Sequence, residues 1–145
     1  MKKRTEVFAD RESIEKLTEQ EKSLLFLTPL IQTAWICGGI SPREKQVIYQ
    51  AAREEKIDER HYFNDIIDEW LKYQPSRLFF DDCLTLINNS LEKLTVKERR
   101  NLKTKILERC NRVAASAGGK SLMDVNHHIS ADEAHLLSRL REVLL

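Results

Sequence analysis

Glycine, proline, cysteine and aromatic residues are all scarce in this sequence. Its 145 residues include four glycines, three prolines and three cysteines, and aromatic residues make up 7%. Cys37, Cys83 and Cys110 lie far apart and form no CxxC pair, so they indicate neither a disulfide framework nor a zinc site. Each cysteine lies among apolar residues, and we expect all three to be small core side chains.

Net charge and long apolar runs are scarce as well. A formal net charge of +1 provides no field that would favour nucleic acid or an anionic membrane. The first residues, MKKRTEVFADRESIEKL, begin with positive charge as a secretion signal does, but acidic residues stand where its apolar run should follow. Residues 23–42 carry no charge, yet polar residues, a proline and two glycines interrupt them, which favours a buried helix over a membrane span. We therefore expect a cytoplasmic protein without direct membrane insertion.

Helix starts, in contrast, are abundant. In a Ser/Thr-x-x-Glu capping box, the hydroxyl and the carboxylate each accept a hydrogen bond from a free backbone N–H group at the start of a helix. The sequence has such boxes at Thr18–Glu21, Ser41–Glu44, Thr95–Glu98 and Ser130–Glu133, with further caps expected at Asp58 and Ser76.

Apolar residues between these starts recur at helical spacing, and no alternating strand pattern occurs. We expect helices over 19–37, 42–56, 59–73, 77–93, 96–117 and 131–144, with a further short helix near 10–17 as an option. Pro29 should kink the first of them. The short connections predict an all-α, compact antiparallel helical bundle of about six to seven helices. Residues 18–145 form the domain, and 1–17 form an N-terminal extension.

Two parts of the sequence resemble each other, which predicts an internal helix-turn-helix duplication. The segments are AWICGGISPREKQVI and AASAGGKSLMDVNHHISADEAHLL, and the second has nine additional residues after its glycines. In each, a glycine should end one helix in the left-handed conformation, and a capped serine should start the next. The predicted turn and cap residues are Gly38, Gly39, Ser41 and Glu44 in the first unit and Gly118, Gly119, Ser130 and Glu133 in the second.

Through these two turns the sequence resembles the TerB-like (tellurite resistance) family. The matching segments are AWICGGISPRE and AASAGGKSLMDVNHHISADE, and the resemblance covers roughly Thr18 to Leu145. It implies a cytosolic, all-helical, non-enzymatic stress-response protein that works through protein partners, with a membrane-associated resistance component as one option. Family members usually have A-D-G at the first turn, associated with a proposed metal-binding surface, whereas Cys37 and Gly38 stand there in this chain.

One cluster has side chains suited to a metal ion. His127, His128, Asp132 and His135 could hold zinc or a softer ion if residues 120–128 fold back, and Glu44 is a further carboxylate to consider. In the alternative interpretation, which we favour, the histidines lie on a solvent-exposed loop or face water and Glu133 serves its capping box. No cofactor is then expected, although a divalent-metal sensor stays open as an alternative function.

The remaining candidate sites have simpler interpretations. KERRNLKTKILERCNR predicts an amphipathic helix whose Lys97, Lys105, Arg109 and Arg112 form a solvated face, without nucleic-acid binding. The acidic residues around Trp70 should be exposed while the aromatic rings point inward.

Trp35 and Trp70 are either core side chains or anchors for a partner. No nucleophile motif occurs, so we predict no enzymatic activity, with an enzyme of unrecognised type as a second alternative. The oligomeric state is open.

Overall fold

Capped, amphipathic segments form the helices of an all-α bundle, as the sequence predicts. The computed structural model describes residues 17–36, 40–58, 60–118 and 131–144, and no strand occurs in these ranges. Their helices are α1 (Glu19–Leu25), α2 (Thr28–Ile36), α3 (Pro42–Glu54), α4 (Tyr62–Lys72), α5 (Arg77–Glu92), α6 (Val96–Gly118) and α7 (Ala131–Leu144). The short helix considered near 10–17 lies outside the described residues except for Leu17. None of the described helices combines the length and the apolar composition that crossing a membrane requires.

Local capping chemistry starts the helices where the sequence predicts. Glu21 N–H donates to the Thr18 hydroxyl at 3.1 Å, and Thr18 N–H donates to the Glu21 carboxylate at 3.0 Å. The same reciprocal pair occurs at Ser41–Glu44 and at Thr95–Glu98, and the Ser76 hydroxyl caps α5 by accepting from Phe79 N–H. These predictions are confirmed. For the fourth box, Ser130 and the side chain of Glu133 lie outside the described residues.

The first apolar segment forms two helices, so the prediction of one kinked helix over 19–37 is wrong. The chain turns at Phe26 and Leu27 between α1 and α2. Pro29 has no N–H to donate to the Leu25 carbonyl, and the Thr28 hydroxyl donates to that carbonyl instead, at 2.8 Å. The break places Pro29 in the first turn of α2, where a backbone N–H would have no helical acceptor.

Helix α3 ends without a glycine. Lys56 has a φ of 68°, the left-handed region that glycine usually occupies at this position. Lys56 N–H donates to the Arg53 carbonyl at 3.0 Å, and Ile57 N–H donates to the Ala52 carbonyl at 2.9 Å. This pair of bonds is the Schellman arrangement, and the buried Ile57 accompanies it.

Helix α4 begins later than predicted, and its cap is not Asp58. The Asp58 carboxylate accepts from Arg60 N–H at 2.9 Å, two residues along, which forms a local turn. The His61 ring Nδ1 accepts from Phe63 N–H at 3.0 Å and caps the helix in its place.

Helix α6 is the central element of the core. It contacts α2, α3, α5 and α7. Its inward residues include Ile106, Cys110, Val113 and Ala114, all buried. Cys83 and Cys110 are both core side chains, as predicted, whereas Cys37 lies outside the described residues. Within the two predicted duplicate units, α2 contacts α3 and α6 contacts α7.

The turns that motivated the predicted duplication cannot be compared in the structure. Gly38, Gly39 and Gly119 lie outside the described residues, and Gly118 is the last residue of α6. The role of these glycines in ending the helices stays a prediction.

Candidate functional site

The histidine cluster proposed as a metal site is only partly described. His127 and His128 lie outside the described residues. Asp132 belongs to the first turn of α7, but its side chain is outside the part of the chain that the structure describes. The His135 ring Nε2 lies 2.9 and 3.1 Å from the two carboxylate oxygens of Asp81 on α5. His135 therefore joins α7 to α5. The interpretation that His135 faces only water is wrong.

Arg139 extends this contact between α5 and α7. One turn after His135, its guanidinium lies 3.6 Å from the Asp81 carboxylate and donates to the Thr85 hydroxyl at 3.2 Å. Its other end pairs with Glu142 at 3.1 Å. The cluster fixes the packing of two helices by charge and hydrogen bonding, which is a structural function.

Glu44 is buried at the start of α3, with 2% of its surface exposed. Its Oε1 accepts from Ser41 N–H at 3.0 Å, and its Oε2 has no hydrogen-bond partner among the described residues. Among the residues that the structure describes, no three His, Cys, Asp or Glu side chains are grouped so that they could hold a metal ion. Glu44 thus serves the capping box, and the metal site stays a prediction.

The two tryptophans occupy different environments. Trp70 is 1% exposed, and its ring packs on Phe79 with 5.4 Å between centroids. Its proposed role as a partner anchor disagrees with this burial, because a partner cannot reach the ring. Trp35 is half-buried, and its indole N–H donates to the Trp70 carbonyl at 2.8 Å, which ties α2 to α4.

The acidic residues of α4 and α5 surround a buried aromatic row, largely as predicted. Trp70, Phe79 and Phe80 point into the core, and Asp65, Asp68 and Asp82 are exposed. Glu69 and Asp81 are exceptions, because both are half-buried, and Asp81 contacts His135.

A polar groove of about 390 Å³ lies where α3 approaches α4. Tyr49 lies in it and donates its phenolic hydrogen to the Asp68 carboxylate. Burial and this bond raise the pKa of Tyr49 above its usual value. Arg53 in the wall bonds Gln50. The ionisable side chains here have partners within the fold, so this groove indicates no particular ligand.

One edge of α6 carries a network of ion pairs with α3. Because Arg109 is buried in this network, the prediction that it lies on a solvated face is wrong. The Arg109 side chain is 5% exposed and lies 3.0 Å from Glu54 and 3.3 Å from Glu55 at the end of α3. Lys105 pairs with Glu55 at 3.0 Å. Burial opposes ionisation of Glu55, but the hydrogen bonds and charges of Lys105 and Arg109 outweigh it and lower the pKa of Glu55 below its usual value.

A different edge of α6 forms the wall of an open groove of about 320 Å³. The wall residues recur at intervals of three and four, which places them on one stripe of the helix. Leu144 of α7 lies at the same groove. We call the wall the α6 stripe, and it consists of Val96, Arg99, Arg100, Lys103, Thr104 and Leu107.

The α6 stripe combines apolar surface with positive charge. Val96 is 68% exposed, and Leu107 is half-buried. Arg99 donates to the carbonyls of Leu91 and Leu94 at 3.0 and 3.4 Å, so it caps the end of α5 and has no carboxylate partner there. The stripe therefore offers hydrogen-bond donors and apolar contacts to a molecule from outside.

The sequence does not single out this stripe, because Leu107 falls on the apolar face of the amphipathic helix predicted for this segment. The signal was nevertheless present: Val96, Arg100, Lys103 and Leu107 follow one another at the spacing of a single helix face. Which face stays open depends on where α5 and α7 pack, and a single-helix pattern does not contain that information.

No family model matches the chain, and neither a curated protein nor a solved structure does. The TerB-like resemblance thus stays a prediction based on the two turn segments.

Proposed function

We propose that the chain is a non-enzymatic, cytoplasmic interaction module that binds a protein partner through the α6 stripe. The resemblance of its turn segments to the TerB-like family supports a stress response of the tellurite-resistance type as its setting. The observation that carries the proposal is the open groove, where the exposed Val96 and the half-buried Leu107 flank a row of cations along one helix.

The size of the groove suits a short protein segment. At 1.5 Å per residue, the stripe from Val96 to Leu107 is about 16 Å long, which spans three turns of a helix. Grooves between helices commonly bind peptide segments through apolar anchors spaced along them.

The stripe also lies on a rigid support. Helix α6 contacts four other helices, and the Thr95–Glu98 capping box fixes its first turn. Arg99 holds the start of α6 against the end of α5. Side chains on such a support keep their relative positions, which favours recognition of a defined partner.

A blocked groove tests the proposal. Thr104 is exposed in the groove wall, so Thr104→Trp should fill the groove without changing the net charge. Asn101→Trp places the same ring at an exposed position of α6 outside the wall and is the matched control. Affinity capture from cell lysate, with and without added divalent metal, should recover one stoichiometric partner on the wild type and on Asn101→Trp.

We expect Thr104→Trp to reduce recovery of that partner by about tenfold or more, because a filled groove excludes the anchor residue. Equal recovery by the two tryptophan variants would show that the stripe is not the binding surface. Recovery that requires added metal would favour the sensor function instead.

A further inference from the structure

We infer that the α6 stripe binds an acidic protein segment with a leucine-like apolar anchor. The inference rests on the proposed function and adds the chemistry of the partner. It follows from the charges that line the groove, from the way the other cations of α6 are used, and from the apolar residues between them.

The ionisable side chains that the described residues place in the groove wall are positive. They are Arg99, Arg100 and Lys103, and no described Asp or Glu lines the groove. Arg100 and Lys103 form no ion pair with a carboxylate in the described parts of the chain. A ligand with carboxylates at matching intervals would supply the missing negative charge, and Arg100 could bind one of them through two parallel hydrogen bonds.

The other interhelical edge of α6 shows what its cations do when acidic groups are near. Lys105 and Arg109 pair with Glu54 and Glu55 across the α3 contact. That edge satisfies its charge inside the fold, whereas Arg100 and Lys103 have no acidic partner among the described residues. These two cations of the stripe can therefore pair with a molecule from outside.

The apolar part of the wall requires an apolar residue in the partner. Val96 and Leu107 are about three turns apart on α6, and the buried Leu144 comes from α7. Leu107 and the aliphatic stem of Lys103, one turn before it on α6, can pack on one leucine-sized group. Such an anchor removes apolar surface from water, and the flanking carboxylates orient the segment.

This composition favours a protein segment over nucleic acid. A nucleic-acid surface presents a broad positive face, often with aromatic rings between the charges. Here the net charge of the chain is +1, no aromatic side chain of the described residues lines the groove, and Glu98 and Glu108 are exposed on the same helix. Phosphates along a duplex would meet these carboxylates beside the stripe.

Peptide selection tests the partner chemistry. A display library of random peptides about as long as the stripe is selected on the full chain. Enriched peptides should combine Asp or Glu with Leu, Ile, Met or Phe. The best of them, labelled with a fluorophore, is then titrated by anisotropy against the wild type and against Arg100→Glu/Lys103→Glu.

The double charge reversal should weaken peptide binding by about tenfold or more, and added salt should weaken binding to the wild type. Arg43→Glu/Lys45→Glu reverses the same charge at exposed positions of α3 and should change affinity by less than about twofold. Arg100→Gln/Lys103→Gln should give an intermediate loss. Circular dichroism confirms that each variant folds.

Other outcomes would overturn the inference in distinguishable ways. Neutral apolar peptides that bind equally to the charge-reversed variant but are lost on Thr104→Trp would refute the acidic chemistry and leave the interaction module intact. Duplex DNA that binds the wild type but not Arg100→Glu/Lys103→Glu would show that the stripe binds nucleic acid. Enriched peptides that bind Thr104→Trp unchanged would remove the groove as a docking site, and the proposed function with it.

Discussion

Replacement of Arg109 by methionine should destabilise the fold strongly, because it breaks a buried ion pair. Arg109 is 4% exposed and bonds both Glu54 and Glu55. Removing one partner of a fully buried pair costs about 3–5 kcal/mol. The Glu54 side chain is 42% exposed and can turn to water, and Glu55 keeps Lys105 at 3.0 Å. We therefore expect a loss of about 2–3 kcal/mol in the free energy of unfolding.

Urea unfolding at neutral pH measures this loss. Methionine keeps much of the length of the side chain, so the comparison isolates the charge and its hydrogen bonds. Arg112→Met, at an exposed position on the same helix, is the matched control and should stay within about 0.5 kcal/mol of the wild type. A double-mutant cycle with Glu55→Gln should give a coupling energy of about 1–2 kcal/mol.

The stability that the Glu55 carboxylate contributes should decrease at low pH. The pKa of Glu55 is lowered in the fold from an ordinary value of 4.5. The stabilisation from its carboxylate is therefore complete above that value and is lost as the pH falls through the lower folded pKa. The difference in the free energy of unfolding between wild type and Arg109→Met should stay constant from neutral pH down to about 4.5 and narrow as the pH falls further. A difference that stays constant below that pH as well, or a coupling energy near zero, would refute the assigned role of the network.

Three smaller changes test other contacts. Trp35→Phe removes the bond to the Trp70 carbonyl and should cost about 1 kcal/mol in thermal unfolding, whereas an unchanged melting temperature would contradict the role of that bond. Thr28→Val leaves the Leu25 carbonyl without the hydroxyl donor and should cost about 1–3 kcal/mol in urea; a stabilised variant would show that the break between α1 and α2 does not need this bond. Lys56→Gly relieves the left-handed backbone and should add about 0.5–1 kcal/mol of stability, so a loss of stability would argue against the Schellman end of α3.

Helix starts could be predicted from the sequence because their cause is local. The hydroxyl of Thr18, Ser41 or Thr95 and the carboxylate three residues later are fixed by short-range geometry. Helix ends were less predictable. Pro29 was predicted to kink one long helix. A turn just before Pro29 costs less free energy than a helix interior that lacks one backbone hydrogen bond, so the chain forms two helices. At Lys56, no glycine marked the left-handed end.

Properties that depend on packing could not be predicted in the same way. A helical wheel shows that Arg109 and Leu107 differ in polarity, but it does not show which neighbour covers each face. The end of α3 buries Arg109, whereas the groove beside α7 leaves Leu107 half-buried. The aromatic row around Trp70 was predictable as core because apolar rings at helical spacing favour burial almost regardless of the partner helix.

The central position of α6 has a consequence for the thermodynamics of association. A helix held by four neighbours has little conformational freedom left to lose when a ligand arrives. The ordering entropy of complex formation must then fall almost wholly on the incoming segment. Segments already helical or cyclised in solution should bind the stripe more tightly than flexible ones of the same composition, with the gain appearing as entropy.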